Sequence, residues 1–174
     1  MLEVIYYVAS SLDGFIATPD GGVDWLAPFQ DSDEDYGYSA FYDSIDAILI
    51  GSRTYEQSLT FGEWPYPGKP VWVFSRRPLA VGGDDVMVTD RKPREVLGEI
   101  ESRGLRRAWL VGGGALAGSM RASGLITEYV VSIMPVTLGA GIGVFGASGP
   151  PERLQRQQTT EYPDGVLQVR YSPA

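Results

Sequence analysis

The sequence predicts an α/β fold in three layers, α/β/α, with a mostly parallel sheet and an antiparallel C-terminal hairpin. Three observations predict it. Short runs rich in β-branched and aromatic residues recur along residues 2–136. Helix-forming stretches separate most of them, which is the alternation of a parallel sheet covered on both faces. Residues 153–172 instead read strand, turn, strand about Pro163-Asp164-Gly165, a hairpin signal.

"LEVIYYVAS" (2–10) reads as a buried first strand. "SLDGFIATPDGGVDWL" (11–26) carries Asp-Gly twice and one Pro, and reads as a long turn-rich loop. "DSDEDYGYSAFYDSI" (31–45) is expected to form a short helix with acidic residues in its first turn, where the macrodipole favours them. "DAILIG" (46–51) is a second strand, and "SRTYEQSL" (52–59) starts a helix directly after Gly51. "KPVWVFS" (69–75) is a third strand followed by basic Arg76-Arg77, and "DDVMVTD" (84–90) a short fourth. "KPREVLGEIESRG" (92–104) is an amphipathic helix with Pro93 near its first turn and Gly104 at its end. "RRAWLVG" (106–112) is a fifth strand, "GGALAGSMRASG" (113–124) a helix closed by glycine, and "ITEYVVSIMPV" (126–136) a sixth strand. "TLGAGIGVFGASGPP" (137–151) is a glycine-rich loop before the hairpin. No linker, repeat or low-complexity segment divides residues 1–174, so a single domain is expected.

Composition narrows the chemistry. The 174 residues are 44% hydrophobic and 21% charged, an ordinary globular balance with enough chain for a core. The formal net charge is −8. That argues against a nucleic-acid or anionic-membrane partner but leaves room for a small phosphate pocket. There is no cysteine and no histidine. Disulfides, thiol nucleophiles, Cys/His metal sites and Ser-His-Asp mechanisms are thereby excluded. Proton chemistry falls to Asp, Glu, Lys, Tyr or water. "MLEVIYYVAS" has neither a basic n-region nor a small-residue cleavage site. No apolar run approaches the ~20 residues of a membrane span, and a cytoplasmic enzyme or binding protein is expected.

"AWLVGGGALAG" (108–118) is the strongest local motif. A strand meets three glycines, and a helix follows with free N–H groups and a positive dipole end. Gly112-x-Gly114-x-x-Ala117 satisfies the dinucleotide fingerprint in its G/A form. A tight turn that needs no side chain is the alternative. A Rossmann domain fits poorly, because its fingerprint follows the first strand and needs several βα units after it.

Other segments, taken together and in order, point to a different fold. "SLDGFIA", "DAILIGSRTYE", "VWVFSRRPL" and "AWLVGGGAL" resemble the dihydrofolate reductase-like superfamily. "SIMPVTLGAGIGVF" (132–145) is similar to the branch containing the C-terminal reductase domain of riboflavin biosynthesis enzymes. The resemblance covers about residues 2–146 and implies an NADPH-dependent reductase, in this case a stand-alone member. It implies that Gly112, Gly113 and Gly114, with Ala115 after them, approach the cofactor's pyrophosphate, and that Gly112–Gly113 is a cis bond. It places Gly51 and Thr54 on the other side of the pyrophosphate. Ser75 and Arg76 stand where the family reads the adenosine 2′-phosphate, with Arg53 or Arg77 assisting. Two departures stand out: Ser52 occupies a position that is often basic, and residues 54–68 lack an Asp-Pro pair found in the riboflavin branch. A zinc deaminase half cannot be built without His or Cys.

The resemblance also implies hydride transfer to a polarised C=N or C=O carbon of a small heterocycle. The substrate would be aminopyrimidine ribosyl phosphate-like, as for a 5-amino-6-(5-phosphoribosylamino)uracil reductase, or pterin-like. A dihydrofolate reductase proper and a non-catalytic nucleotide-binding module are the alternatives. Asp35 is the first catalytic candidate, from its place at the start of the first helix, with Glu34 and Asp33 close enough to take its role. Asp13, beside Gly14 in the opening loop, is the second, and its other reading is a turn former. Asp24 and Trp25 flank the same loop, Trp25 as an anchor. The glycine-rich segment 137–149 and the apolar sixth strand suggest a homodimer.

Overall fold

The computed structural model describes residues 1–83, 85–146 and 149–174. Asp84 of the expected fourth strand and residues 147–148 of the glycine-rich loop lie outside the described residues. The first half runs β1 (Glu3–Ser11), β2 (Phe15–Ala17), a 3-10 turn (Asp24–Leu26), α1 (Ala27–Gln30), α2 (Tyr38–Ser44), β3 (Ala47–Gly51) and α3 (Ser52–Ser58). It continues through β4 (Val71–Phe74), β5 (Val86–Thr89), α4 (Pro93–Ser102), β6 (Arg107–Gly112) and α5 (Gly114–Ala122). β7 (Glu128–Met134), β8 (Ile142–Gly143), β9 (Leu154–Glu161) and β10 (Leu167–Pro173) complete it.

Eight strands form one sheet in the order β5-β4-β3-β6-β1-β7-β10-β9. β1 is parallel to β6 and β7, and β3 is parallel to β6 and β4. β5 runs parallel to β4, while β10 is antiparallel to both β7 and β9. The apolar runs at β3 and β4 sit inside this sheet with Ile48, Leu49, Ile50, Val71, Trp72 and Val73 at 0% exposure. A parallel strand covered on both faces needs such continuous apolar sequence. On one face Tyr6, Leu49, Trp72 and Leu110 pack under Val96 and Ile100 of α4 and Ala117 and Met120 of α5. On the other, Ile5, Ile50, Val73 and Trp109 pack under Phe41 of α2 and Tyr55 of α3. No helix among the described residues is long and apolar enough to cross a membrane.

Three expectations are corrected. The helix expected over 31–45 begins only at Tyr38 and has no acidic residue in its first turn. Tyr36 (φ +54°) and Gly37 (φ +75°) are left-handed, a conformation no right-handed helix contains. Asp35 therefore precedes the helix, and both its carboxylate oxygens accept the Ser39 N–H, at 3.1 and 3.3 Å. This satisfies one amide that the first turn leaves open. The expected loop 11–26 contains β2, which pairs antiparallel with β8. Strands of two and three residues are too short to show a period in sequence.

The third correction concerns the glycine-rich segment. It is stitched to its own chain. Leu138 and Gly139 donate to Asp13, Val144 N–H donates to Gly14 at 3.1 Å, and the Tyr6 hydroxyl donates to the Val144 carbonyl at 2.6 Å. Its glycines let backbones of one chain touch, and β8 stands where a loop alone is expected.

Candidate active site

The helices after β3 and β6 leave to opposite faces of the sheet, α3 through Tyr55 and α5 through Ala117 and Met120. Neighbouring strands whose connections part in this way leave a crevice at their carboxyl ends. Here Gly51 and Gly112 stand at those ends. The Gly112–Gly113 peptide is cis, as the resemblance implies. Gly112 has φ +117°, in glycine's territory, whereas Gly113 has an ordinary φ of −71° and caps α5. A Cβ on Gly113 would meet Thr54 Oγ1 at 3.0 Å, and one on Gly51 would meet Gly113 N at 3.4 Å. The structure thus brings Gly51, Thr54, Gly112 and Gly113 to one place.

Gly114 and Ala115 open α5, whose first internal bond runs from Ala117 N–H to the Gly113 carbonyl at 3.0 Å. The amides before it face out of the helix end, where an anion is favoured. Gly114 itself has a second constraint. It is buried, and a Cβ there would run into the carbonyl oxygen of Gly143 and stand 3.3 Å from Gly146 N.

Ser75 follows β4 and is 9% exposed. Its hydroxyl donates to the Arg77 carbonyl at 2.7 Å and accepts the Arg77 N–H at 3.2 Å, closing the turn. Arg77 forms a two-pronged ion pair with Glu56 of α3, and this partner holds the Glu56 carboxyl below its usual range. Arg76 and Arg53 are exposed and make no hydrogen bond or ion pair among the described residues. Arg76 borders a cavity of about 550 Å³ at the ends of β4 and β5, a size that suits a cofactor fragment. Arg76, Arg77, Arg91 and Arg103 line it against Asp90 and Glu99. Four guanidinium groups against two carboxylates make it basic in an acidic chain.

The sequence reading missed Arg91 and Arg103. For Arg91 the basic run "DRKPRE" (90–95) after the fourth strand was the available signal, parallel to "SRRP" after the third. Both arginines pair with Glu99, and the Arg91 hydrogen bond is the main cause of its lowered pKa. The Arg103 guanidinium lies 5.2 Å from the ring centre of Trp72, which also lines the cavity. The Trp72 indole nitrogen is buried with no hydrogen-bond partner among the described residues.

The two candidate carboxylates have different surroundings, and no contact between them is seen among the described residues. Asp13 is fully engaged. It accepts the Ser11 hydroxyl at 2.6 Å, Leu138 N–H at 3.0 Å and Gly139 N–H at 2.7 Å. The Ser11 bond and then the Leu138 bond hold its pKa at about 2. Such a carboxylate is charged at neutral pH, and in this geometry it ties the 11–17 loop to the 137–139 segment. Asp35 is exposed near Tyr7 and Tyr162, whose pKa values are raised first by burial and then in small part by its charge. Tyr7, Tyr162 and Gly37 line a second cleft, of about 380 Å³, between α2 and the hairpin. Asp24 opens the 3-10 turn, and the Trp25 indole nitrogen is buried without a partner among the described residues. Gln57 of α3 holds the same loop through the Gly21 carbonyl at 2.8 Å.

Asp13 sets a pH dependence of known sign. Its pKa falls from 3.8 to about 2 on folding, so its stabilising contribution is complete above the unfolded value and disappears as pH falls through about 2. Asp13→Asn should flatten unfolding midpoints measured between about pH 4 and pH 2 and speed amide exchange at Leu138 and Gly139. Unchanged exchange at both amides would contradict the fastening role.

Comparison with known proteins gives three findings. Residues 3–168 match the model of the RibD C-terminal domain. Two Bacillus subtilis (strain 168) proteins, the uncharacterized proteins YwjB and YyaP, are each 30% identical over 97% of this chain, covering 97% and 94% of their own lengths. A crystal structure from Shewanella sp. PV-4, of a protein provisionally assigned to riboflavin biosynthesis, superposes with a TM-score of 0.89 at 27% identity, over 100% of this chain and 99% of the other. A Thermotoga maritima diaminohydroxyphosphoribosylaminopyrimidine deaminase/5-amino-6-(5-phosphoribosylamino)uracil reductase shares the fold, with a TM-score of 0.75 and 17% identity. There the match covers 99% of this chain and 57% of the other.

Proposed function

The chain belongs to the RibD C-terminal domain family, and from that premise we propose that it is a single-domain, NADPH-dependent reductase of a small heterocycle. Its substrate is aminopyrimidine ribosyl phosphate-like or pterin-like, and it works as a homodimer. One observation carries the reading. The nucleotide-binding candidates fall on consecutive strand ends, Gly112 on β6, Gly51 on β3, Ser75 after β4 and Arg91 after β5. Three strand steps span about 14 Å, and the row ends in the basic cavity.

When bound, NADPH supplies a hydride to a polarised C=N or C=O carbon. The protein's part is placement and charge. Gly112, Gly113 and the first amides of α5, at Gly114 and Ala115, hold the pyrophosphate against Gly51 and Thr54. Ser75 and Arg76 receive the adenosine 2′-phosphate, with Arg91 and Arg103 across the cavity and Arg53 near the α3 end. Arg76 and Arg53 have no side-chain partner among the described residues, and a guanidinium suits a phosphate's oxygens. Asp35 orients a water or an amidine-like ring edge. Asp13 keeps the 11–17 and 137–144 loops together around the crevice.

Cofactor choice tests the reading. NADPH should bind tighter than NADH in fluorescence titrations, and Arg76→Ala should weaken NADPH about tenfold, the loss of one charged hydrogen bond, while leaving NADH unchanged. Equal affinity of the parent protein for the two cofactors would overturn it. NADPH oxidation with aminopyrimidine ribosyl compounds, compared with dihydrofolate, separates the two substrate classes. Oxidation with neither would return the site to a binding module.

A further inference from the structure

Asp35 sits at a left-handed turn in a stretch whose composition favours a helix. The next residue, Tyr36, has φ +54° and is the one non-glycine residue at positive φ among the described residues. A bulky residue there is strained by its own Cβ, and the conformation persists only where its surroundings dictate it. Those surroundings come largely from the C-terminal hairpin. Gln168 of β10 stands opposite Ser132 of β7, and its amide nitrogen donates to the Ser132 hydroxyl at 3.0 Å and to the Tyr36 carbonyl at 3.2 Å. The Tyr7 hydroxyl donates to the same carbonyl at 3.3 Å. The Tyr36 hydroxyl donates to Asp164, in the Pro163-Asp164-Gly165 turn, and its ring stands edge-on to Tyr162 with 5.0 Å between centres.

We infer that the hairpin positions Asp35: Gln168 and Asp164 clamp Tyr36 and so fix the carboxylate of the residue before it. The inference rests on the substrate role proposed above for Asp35 and names the residues that hold it in place. Asp35 is otherwise tied to the start of α2, through the Ser39 N–H on its carboxylate and the Tyr38 N–H on its carbonyl, at 3.0 Å. Glu34 accepts the Tyr36 N–H at 3.3 Å and so tightens the same turn. The clamp needs the residue types present. Gln168 faces two acceptors, so only a donor satisfies them, and a carboxylate there would face the Tyr36 carbonyl with oxygen. Asp164 uses one oxygen to accept the Val166 N–H at 3.3 Å, the ordinary task of Asp in a turn. The oxygen that faces Tyr36 is not needed for turning. Gln168 and Asp164 are thus positioning residues that act through Tyr36.

Amide exchange at Ser39, followed by NMR on the full chain, tests the clamp without a substrate, because that N–H reports on the Asp35 carboxylate. Gln168→Glu should speed it about tenfold, the loss of about one hydrogen bond. Tyr36→Phe and Asp164→Ala, which remove an exposed bond, should each speed it about threefold. Asp164→Asn, whose carbonyl still accepts, should match the parent. The amide of Leu49, which is fully buried in β3, should exchange at the parental rate in all four, which separates a loosened Asp35 from a loosened fold. If Gln168→Glu also speeds Leu49, Tyr36→Phe, which removes one oxygen, decides. NADPH oxidation with an aminopyrimidine ribosyl phosphate or dihydrofolate gives the second readout. Gln168→Glu should lower kcat about tenfold and leave KM for NADPH unchanged, with Asp35→Asn at least as impaired. Parental Ser39 exchange in Gln168→Glu and Tyr36→Phe would overturn the clamp. Faster exchange with parental kcat, where Asp35→Asn is impaired, would overturn its part in turnover. A parent that oxidises NADPH with neither compound, or an Asp35→Asn variant as active as the parent, would overturn the role of Asp35 itself, while the exchange rates still decide the clamp.

Discussion

Gly113→Ala should lower NADPH affinity roughly a hundredfold, the loss of one or two charged hydrogen bonds at ~1.5–3 kcal/mol each, while the protein stays folded. Gly113 has φ −71° and ψ −170°, which alanine adopts without strain. The added Cβ would meet only the Thr54 hydroxyl, at 3.0 Å, and a side-chain oxygen can give by a few tenths of an ångström. Folding should therefore change by less than ~1 kcal/mol. The methyl group would instead fill the contact between Gly113 and Thr54 and push Thr54 off the pyrophosphate that is proposed to lie against both. Fluorescence titration with NADPH and a denaturant midpoint, measured on the same sample, decide it. A variant binding within about threefold of the parent would mean that "VGGGALAG" is only a turn.

Gly114→Ala should behave in the opposite way, although it is the next residue. Its Cβ would strike the carbonyl oxygen of Gly143, with Gly146 N and Ile142 Cγ2 each 3.3 Å away. Two of these atoms are backbone, and β2 and Tyr6 hold the segment that carries them. Overpacking of this kind costs about 2–3 kcal/mol, a fall of about 1 M in the urea midpoint at a typical slope. Loss of NADPH binding would then follow from the displaced 142–146 loop rather than from a blocked site. An unchanged midpoint would show that the loop yields freely. The pair of variants separates a glycine kept for the crevice from a glycine kept for the fold.

The secondary structure was legible wherever an element was long enough to show a period or an apolar run. β1, β3, β4, β6 and β7 fall within a few residues of their sequence bounds, and the hairpin turns at Pro163-Asp164-Gly165 as expected. The helix expected over 31–45 was not legible in full, because left-handed residues at Tyr36 and Gly37 interrupt a stretch whose composition favours a helix. The cofactor candidates were legible as motifs at strand ends. Arg91 and Arg103 were not, since each lies in an ordinary-looking charged run and matters only because β5 folds beside β4.

The amino-acid sequence by itself determined the fold class, the order of the longer strands and helices along the chain, and the absence of histidine and cysteine chemistry. These are local or compositional properties, carried by periodicity, turn residues and residue type. Only the tertiary structure decided which groups meet. Glycine spacing identified a turn, but the sheet order set Gly51 against Gly113. The order also distinguished Gly113, which faces Thr54, from Gly114, which faces the Gly143 backbone. Asp13 read as a candidate acid or a turn former, and only the fold brought Leu138, 125 residues away from it in sequence, within hydrogen-bond reach of its carboxylate. Local sequence encodes backbone preference at short range, whereas a group's charge state and partners depend on neighbours that only chain closure supplies.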